Sequence, residues 1–286
     1  MEQVKKILVI GSKGMAGHMI RQVLLESGKF SVIDIARDEL FFKPSFLFDI
    51  SDLVKLNEVL EYESPDVVIN CIGVLNESAE SNAEKSIFFN SYLPHYIANR
   101  CNKMIHISTD CVFNGKRGGY VESAVKDGIG LYAQTKALGE VNYGNHLTIR
   151  TSIIGPELKS DGIGLFHWFM NQDHNIKGYT RAYWSGVSTF QLAQFILNAL
   201  ESENNLRGLI HLTNNEKISK YDLLNVFSKV LEKTITIIPY DQYQVDKSLK
   251  NTRSDVLTVS LTYEQMLIEL AAFMREHKDL YKQYYY

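Results

Sequence analysis

Cysteine is scarce in this sequence, with three residues in 286, at Cys71, Cys101 and Cys111. An odd number of widely spaced cysteines does not form the disulfide framework of a small secreted domain. The three are therefore expected to be free thiols in a reducing compartment, and a cytoplasmic location is the default expectation.

Long apolar runs and a strong net charge are also missing. The first apolar run, residues 7–10, is too short for the core of a signal peptide, and no segment approaches the ~20 apolar residues that a membrane helix needs. The formal net charge is −3, which gives no reason to expect a nucleic acid or a membrane as a partner. A chain of this length can bury the core of one large domain or of a domain with an appended lobe.

Apolar, β-branched runs alternate with segments of helical periodicity up to about residue 155, which predicts an α/β fold: a Rossmann-type doubly wound parallel sheet covered on both faces. The predicted strands are 5–10, 30–36, 46–48, 67–71, 104–107 and 147–154, and the predicted helices are 15–25, 51–61, 83–101 (with a kink at Pro94) and 131–141. Residues 1–155 are predicted to form an NAD(P)-binding domain. Residues 156–286 are predicted to form a smaller mixed α/β substrate lobe that is not independent, with short strands at 209–212 and 235–238 and a closing helix over 263–281.

A glycine-rich turn follows the first strand, with Gly11, Gly14 and Gly17 in the order G-x-x-G-x-x-G. Such glycines permit a tight turn, a close approach of a pyrophosphate to the backbone and close packing of helix on strand, and the following helix N-terminus favours an anion. A turn with a purely structural role is the alternative. Because the motif lies between a strand and a helix, we predict a dinucleotide site.

The second strand is followed by a basic residue, Arg37, where an NAD site expects an acid that holds the ribose 2′-hydroxyl. Lys13 in the turn adds a second cation. Asp34 and Asp38 also lie close, and a shift in strand register would place an acid at the ribose. NADPH is therefore preferred as the cofactor, and NADH is the alternative.

A Tyr-x-x-x-Lys spacing occurs twice in the chain, at Tyr132/Lys136 and at Tyr243/Lys247. On a helix the two side chains share a face, and an ammonium near a phenol lowers its pKa and makes it a better proton shuttle. Position separates the two pairs. Tyr132 opens the helix after the fifth strand, which ends in Thr109 at the edge where ligands of open α/β sheets bind. Tyr243 is given a structural role.

Several stretches resemble the extended short-chain dehydrogenase/reductase family, and within it the dTDP-4-dehydrorhamnose reductases and related nucleotide-sugar 4-ketoreductases. The shared stretches are Gly11 to Gly17, Asp49-Ile50, residues 65–70, Asn90, residues 108–115, Tyr132-x-x-x-Lys136 and residues 150–152. The resemblance implies that Thr109, Tyr132 and Lys136 are catalytic. It also implies a cofactor-binding set of Gly11, Lys13, Gly14, Met15, Ala16, Gly17, Arg37, Asp49, Ile50, Cys71, Ile72, Gly73, Ser108, Tyr132 and Lys136.

Cys111 stands where relatives that dehydrate nucleotide sugars carry a glutamate, which serves with the preceding aspartate as acid and base. A thiol of pKa ~8.5 with no adjacent cation does not replace that base. The resemblance therefore favours a reductase over a dehydratase. Packing is the expected role of Cys111 itself, with redox sensing as the alternative.

The substrate is expected to contact Thr109, Asp110, Cys111, Ile153, Arg181 and Trp184. Ile153 departs from the reductases, which often carry Trp there. Trp184 would stack on a base or sugar and Arg181 would pair with a diphosphate; a partly buried aromatic and a surface cation are the alternatives. No metal site is predicted.

These residues together predict the NADPH-dependent reduction of a nucleotide-linked 4-keto-6-deoxy sugar to the 4-hydroxy sugar, for the synthesis of polysaccharide or glycan precursors. The alternatives are an epimerase or dehydratase of the same fold and a non-catalytic NADP-binding regulatory subunit. The residues leave open the nucleotide, the sugar, the stereochemistry at C4, any metal requirement and whether the chain forms a homodimer.

Overall fold

The computed structural model of the molecule describes residues 4–202, 205–256 and 258–285. Its strands are β1 (Lys6–Ile10), β2 (Ser31–Ala36), β3 (Phe46–Leu47), β4 (Val67–Asn70), β5 (Met104–Thr109), β6 (Leu147–Thr151), β7 (Ile153–Ile154), β8 (Ile176–Trp184), β9 (Val187–Ser188), β10 (Gly208–His211), β11 (Ile218–Ser219) and β12 (Ile237–Asp246). Seven of them form the main sheet, all parallel, in the order β3-β2-β1-β4-β5-β6-β10. The predicted doubly wound parallel sheet is confirmed.

Helices cover both faces of this sheet. They are α1 (Met15–Ser27), α2 (Leu53–Glu63), α3 (Asn76–Ser81), α4 (Ala83–Ser86), α5 (Leu93–Ala98), α6 (Leu131–Leu138), α7 (Leu165–Met170), α8 (Thr189–Glu201), α9 (Lys220–Val230) and α10 (Tyr263–Glu276). Side chains of β1 alternate between two cores: Ile7 and Val9 pack with α1 and α8, whereas Leu8 and Ile10 pack with α2 and α5. Burial on both faces explains why this strand is apolar throughout. None of the helices within the described ranges has the length and apolar character needed to cross a bilayer.

The predicted helix over 83–101 is divided into three parts. A π-helical segment, Ile87–Tyr92, separates α4 from α5. Pro94 has no N–H to donate to the carbonyl of Asn90, so the α-helical bond is lost at that position. Gly139 lies against the same carbonyl, because a Cβ there would be 1.8 Å from the Asn90 oxygen. The irregular segment thus lets the end of α6 approach closely, and α6 carries Tyr132.

The chain beyond residue 155 contributes to two layers. Strand β10 joins the edge of the main sheet, where His211 is paired with Arg150 of β6. Strands β11, β8 and β12 form a separate three-stranded sheet against which α9 packs. The strand predicted over 235–238 extends much further, to Asp246, with a shift of register after Tyr240. Its end brings residues 246–249 to the carboxyl end of β5.

Candidate functional site

A cleft of about 380 Å³ lies at the carboxyl ends of β1, β2 and β4. Among the predicted cofactor residues, those that line it are Gly11, Lys13, Gly14, Met15, Arg37, Asp49, Ile50, Cys71, Ile72 and Gly73. Further lining residues, Glu157, Leu158, Lys159, Asp161 and Gly162, come from the loop between β7 and α7 and were not predicted. The cleft is at the edge of the sheet where open α/β folds bind their ligands.

The turn after β1 requires glycine at two positions. Gly11 has a φ of +82°, and a Cβ there would be 2.9 Å from Cδ1 of Ile72. A Cβ on Gly17 would be 2.1 Å from the carbonyl oxygen of Gly11, so the third glycine serves packing of α1 on the turn. Gly17 and its neighbour Ala16 are buried. No described side chain caps α1 at Gly14, and the open helix N-terminus at the cleft fits a diphosphate.

Arg37 lies directly after β2, lines the cleft and keeps 62% of its side chain exposed. Asp34 is buried and accepts hydrogen bonds from the Ser12 hydroxyl (2.6 Å) and the Ser45 N–H (3.0 Å), so its carboxylate is already engaged. Asp38 also lines the cleft, where it forms ion pairs with Lys13 (3.0 Å) and Lys159 (3.6 Å). Burial is the largest single effect on Asp38 and acts against its ionisation. The hydrogen bonds from Lys13 and the Leu40 N–H and the charges of Lys13 and Lys159 together outweigh burial and lower the pKa of this carboxyl.

The basic and acidic side chains at this end of the cleft therefore differ in whether their charged groups remain available to bind a ligand. Both acids are held by partners within the protein. Among the residues that the structure describes, the Arg37 guanidinium forms an ion pair with a single, distant carboxylate oxygen, on Asp49 at 3.9 Å. This arrangement suits a ribose 2′-phosphate better than a 2′-hydroxyl.

Strand β5 and helix α6 bring the predicted catalytic hydroxyls together. The Thr109 hydroxyl accepts a hydrogen bond from the Cys111 N–H (3.1 Å) and donates to Asp110 Oδ1 (3.2 Å). It also lies close enough to the Tyr132 phenol to favour ionisation of that phenol. Burial, with a smaller contribution from Cys111 and Asp110, raises the pKa of Tyr132 well above its ordinary value.

Lys136 lies one helical turn after Tyr132. Its Nζ donates to the Ile107 carbonyl (2.8 Å) and is 3.9 Å from the place where a Cβ on Gly73 would be, so the ammonium lies between β5 and the cleft. Burial lowers the pKa of Lys136 to about 8, and the Glu140 carboxylate opposes this effect. From the sequence, Lys136 is expected to lower the pKa of Tyr132. That expectation is wrong for this structure, because desolvation of the phenol dominates.

The loop after β4 is fixed by Asn90 of the π-helical segment. Its side-chain amide accepts from the Val74 N–H (2.8 Å), donates to the Val74 carbonyl (2.9 Å) and reaches the Thr135 hydroxyl (3.2 Å). Asn90 was one of the residues that carried the family resemblance, but no role was predicted for it. In the structure it ties the floor of the cleft to α6.

The prediction that no cation adjoins Cys111 is wrong. Lys247 Nζ is 3.5 Å from Cys111 Sγ. The thiol nevertheless stays protonated near neutral pH, because burial and the Asp110 charge raise its pKa to about 11. Lys247 was considered only as part of the second Tyr-x-x-x-Lys pair, and no local pattern in the sequence links it to a residue 136 positions earlier.

Other predicted site residues lie outside this constellation. The Ser108 hydroxyl donates to Glu140 (2.7 Å) in a buried network. Trp184 is 6% exposed, its indole N–H donates to the Ser152 hydroxyl (2.8 Å), and it packs in the core. Arg181 is exposed on β8, and Ile153 is half-buried on β7. No group of three or more potential metal ligands is found within the described residues.

The model of the RmlD substrate binding domain family matches residues 5–286, which is nearly the whole chain. The chain belongs to this family. The resemblance to dTDP-4-dehydrorhamnose reductases inferred from the sequence is thereby confirmed, as is the extended short-chain dehydrogenase/reductase fold.

Two curated relatives and one solved structure illustrate the similarity. The probable low-salt glycan biosynthesis reductase Agl14 of Haloferax volcanii is 32% identical over 139 residues, 46% of each chain. The dTDP-4-dehydrorhamnose reductase of Aggregatibacter actinomycetemcomitans is 24% identical over 253 residues, 82% of each chain. The crystal structure of the dTDP-4-dehydrorhamnose reductase of Bacillus anthracis in complex with NADP has a TM-score of 0.79 at 17% identity, over 96% of this chain and 99% of that one. The match to the first relative thus spans less than half of its length.

Proposed function

We propose that the protein reduces a nucleotide-linked 4-keto-6-deoxy sugar to the 4-hydroxy sugar with NADPH. The observation that carries this proposal is that Thr109 and the Tyr132 phenol lie close together at the carboxyl end of β5, with Lys136 between them and the dinucleotide cleft. Relatives named as dTDP-4-dehydrorhamnose reductases, one of them solved with NADP, support both the reaction and the cofactor.

The cofactor would be held along the cleft. Its diphosphate would lie at the open N-terminus of α1, Arg37 would face the 2′-phosphate, and Asp49 and Ile50 would lie at the adenine end. NADPH would supply the hydride that adds to C4 of the sugar. Gly73 leaves room beside the Lys136 ammonium, which would bind the nicotinamide ribose hydroxyls.

The protein would supply the proton. Tyr132 would donate its proton to the oxygen on C4 as negative charge develops there. The Thr109 hydroxyl would turn from Asp110 to donate a hydrogen bond to the same oxygen. The raised pKa of Tyr132 suits a phenol that must hold its proton until the alkoxide forms. Lys136, with a pKa of about 8, would be mostly protonated at neutral pH, as its contact with the ribose hydroxyls requires.

An epimerase or dehydratase of the same fold is the first alternative. A dehydratase needs an acid and a base on the sugar, and a thiol with a pKa of about 11 at position 111 does not serve as that base. A non-catalytic NADP-binding subunit is the second alternative, and the retained Thr109, Tyr132 and Lys136 argue against it.

The test is NADPH absorbance with purified protein and a panel of dTDP-, UDP- and GDP-linked 4-keto-6-deoxy sugars. We expect NADPH to be consumed stoichiometrically with the sugar that is linked to one of these three nucleotides. Tyr132→Phe should keep NADPH binding and lower kcat about 10²-fold. Tyr243→Phe, at the exposed tyrosine of the other pair, is the matched control and should keep full activity. Absence of NADPH consumption across the panel, by protein that binds NADPH, would contradict the proposal.

A further inference from the structure

Residues 246–249 form a strap across the loop that follows β5. The Asp246 N–H donates to the Gly115 carbonyl (2.7 Å), the Tyr120 N–H donates to the Ser248 carbonyl (2.8 Å) and the Gly119 N–H donates to the Ser248 hydroxyl (2.8 Å). Leu249 is buried, and its N–H donates to the Ser185 hydroxyl (2.6 Å). The backbone on both sides of Lys247 is therefore held in place.

Lys247 is a half-buried ammonium on this strap with spare hydrogen-bonding capacity. Within the described ranges it makes no ion pair, and its hydrogen bond is to the weak acceptor Cys111 Sγ (3.5 Å). The neighbouring Asp246 is paired with Lys217 (2.6 Å) instead. An ammonium can donate three hydrogen bonds, so Lys247 has donors left at the reactive end of the site.

Asp110 directly precedes Cys111, whose thiol the Lys247 ammonium contacts, and it is buried. Burial raises the pKa of its carboxyl above the ordinary value, and Lys247 is the group that most opposes this effect. The carboxylate accepts a hydrogen bond from the Thr109 hydroxyl (3.2 Å), and the Cys111 side chain also favours its ionised form. The charged and titratable groups that act on it from other elements are Lys247 on the strap, Lys220 at the start of α9 and Tyr132 on α6. Of the two lysines, Lys247 has the larger effect.

We propose that Lys247 is a positioning residue of the substrate site, whose ammonium favours the ionised form of Asp110 so that this carboxylate accepts a hydrogen bond from a hydroxyl of the bound sugar. A buried carboxylate without a counter-ion takes up a proton and becomes a donor in place of an acceptor. The inference that a sugar is the ligand rests on the proposed function. The ionisation of Asp110 by Lys247 stands apart from it.

The first experiment follows Asp110 directly, without a substrate. Carboxyl chemical shifts of protein labelled with ¹³C-aspartate are recorded against pH, with Asp110→Asn to assign the signal. Burial raises the pKa of Asp110 and Lys247 lowers it, so Lys247→Met should move the titration upward by about one unit or more. Lys247→Arg keeps the positive charge, so Asp110 should titrate in this variant as it does in the native protein. Lys250→Met removes the same charge from an exposed residue three positions on and should leave it unchanged.

The second experiment compares kcat/KM against pH in the same variants. Loss of the Asp110 charge as the pH falls should lower kcat/KM. In Lys247→Met this decline should begin at a higher pH. Below the raised Asp110 pKa of the variant, kcat/KM should fall roughly tenfold per pH unit. The NADPH Kd should not change.

Coinciding Asp110 titrations in the native protein and Lys247→Met would overturn the inference, whether or not the protein is a reductase. Equal pH profiles of kcat/KM in an active enzyme would overturn the part that concerns the substrate. If no sugar is reduced, the proposed function fails, and the carboxyl titration still decides the role of Lys247.

Discussion

The ion pair between Glu140 and Arg150 is predicted to be among the most costly interactions to break. Arg150 donates to both oxygens of Glu140, at 2.8 and 2.7 Å, and the two side chains are 3% and 2% exposed. Glu140 also accepts from Ser108 (2.7 Å) and pairs with Lys126 (3.2 Å). Removal of Arg150 leaves the buried Glu140 carboxylate with the partly exposed Lys126 in place of a two-pronged guanidinium, which costs about 3–5 kcal/mol.

The matched comparison is the exposed pair of Lys229 and Glu264. Its N–O distance is also 2.7 Å, but the side chains are 69% and 41% exposed, so its contribution should be below about 1 kcal/mol. The free energy of unfolding is to be measured by urea denaturation for Arg150→Met and Glu264→Gln. The double variant Glu140→Leu with Arg150→Met should recover part of the loss, because neither member of this pair is left buried without the other. Equal costs for the two single variants would refute the reasoning that burial sets the magnitude.

Three further predictions rest on single groups. Gly17→Ala should weaken NADPH binding at least about tenfold in a fluorescence titration, because its Cβ would meet the Gly11 carbonyl; Gly28→Ala, where a Cβ meets nothing within 4 Å, should affect only stability. All three cysteines should react slowly with iodoacetamide at pH 8 until the protein unfolds, because burial raises the pKa of Cys71 and Cys101 to about 12 and of Cys111 to about 11. Burial and Arg150 lower the pKa of His211 to about 4, below its ordinary 6.5, so the unfolded chain binds a proton that the folded chain does not. Stability should therefore fall as the pH drops from 6.5 to 4, and His211→Gln should reduce the slope of this dependence in denaturation curves.

The parts of the fold that could be predicted from the sequence are those set by local patterns. The apolar strands and the glycine turn determine the parallel sheet and the position of the cleft, and Thr109 and Tyr132 lie where strand β5 ends and α6 begins. Long-range pairing was not predictable. Nothing near Lys247 in the sequence indicates that the strap pairs with Gly115, and the extension of β12 to Asp246 depends on its partner β8. Burial, which reverses the expected shift of the Tyr132 pKa, also depends on the folded structure.

A buried hydrogen-bond network around Arg150 connects Lys250, the residue directly after the strap, with strand β5. Arg150 Nη1 donates to His211 Nε2 (2.8 Å), so this nitrogen is unprotonated, and His211 Nδ1–H donates to the Lys250 carbonyl (3.1 Å). Through Glu140 the same arginine is tied to Ser108, directly before Thr109. The strap that carries Lys247 and the strand that carries Thr109 are thus held by one set of hydrogen bonds. Because the cofactor cleft is lined by other elements, substitutions in the strap should alter sugar turnover while NADPH binding is retained.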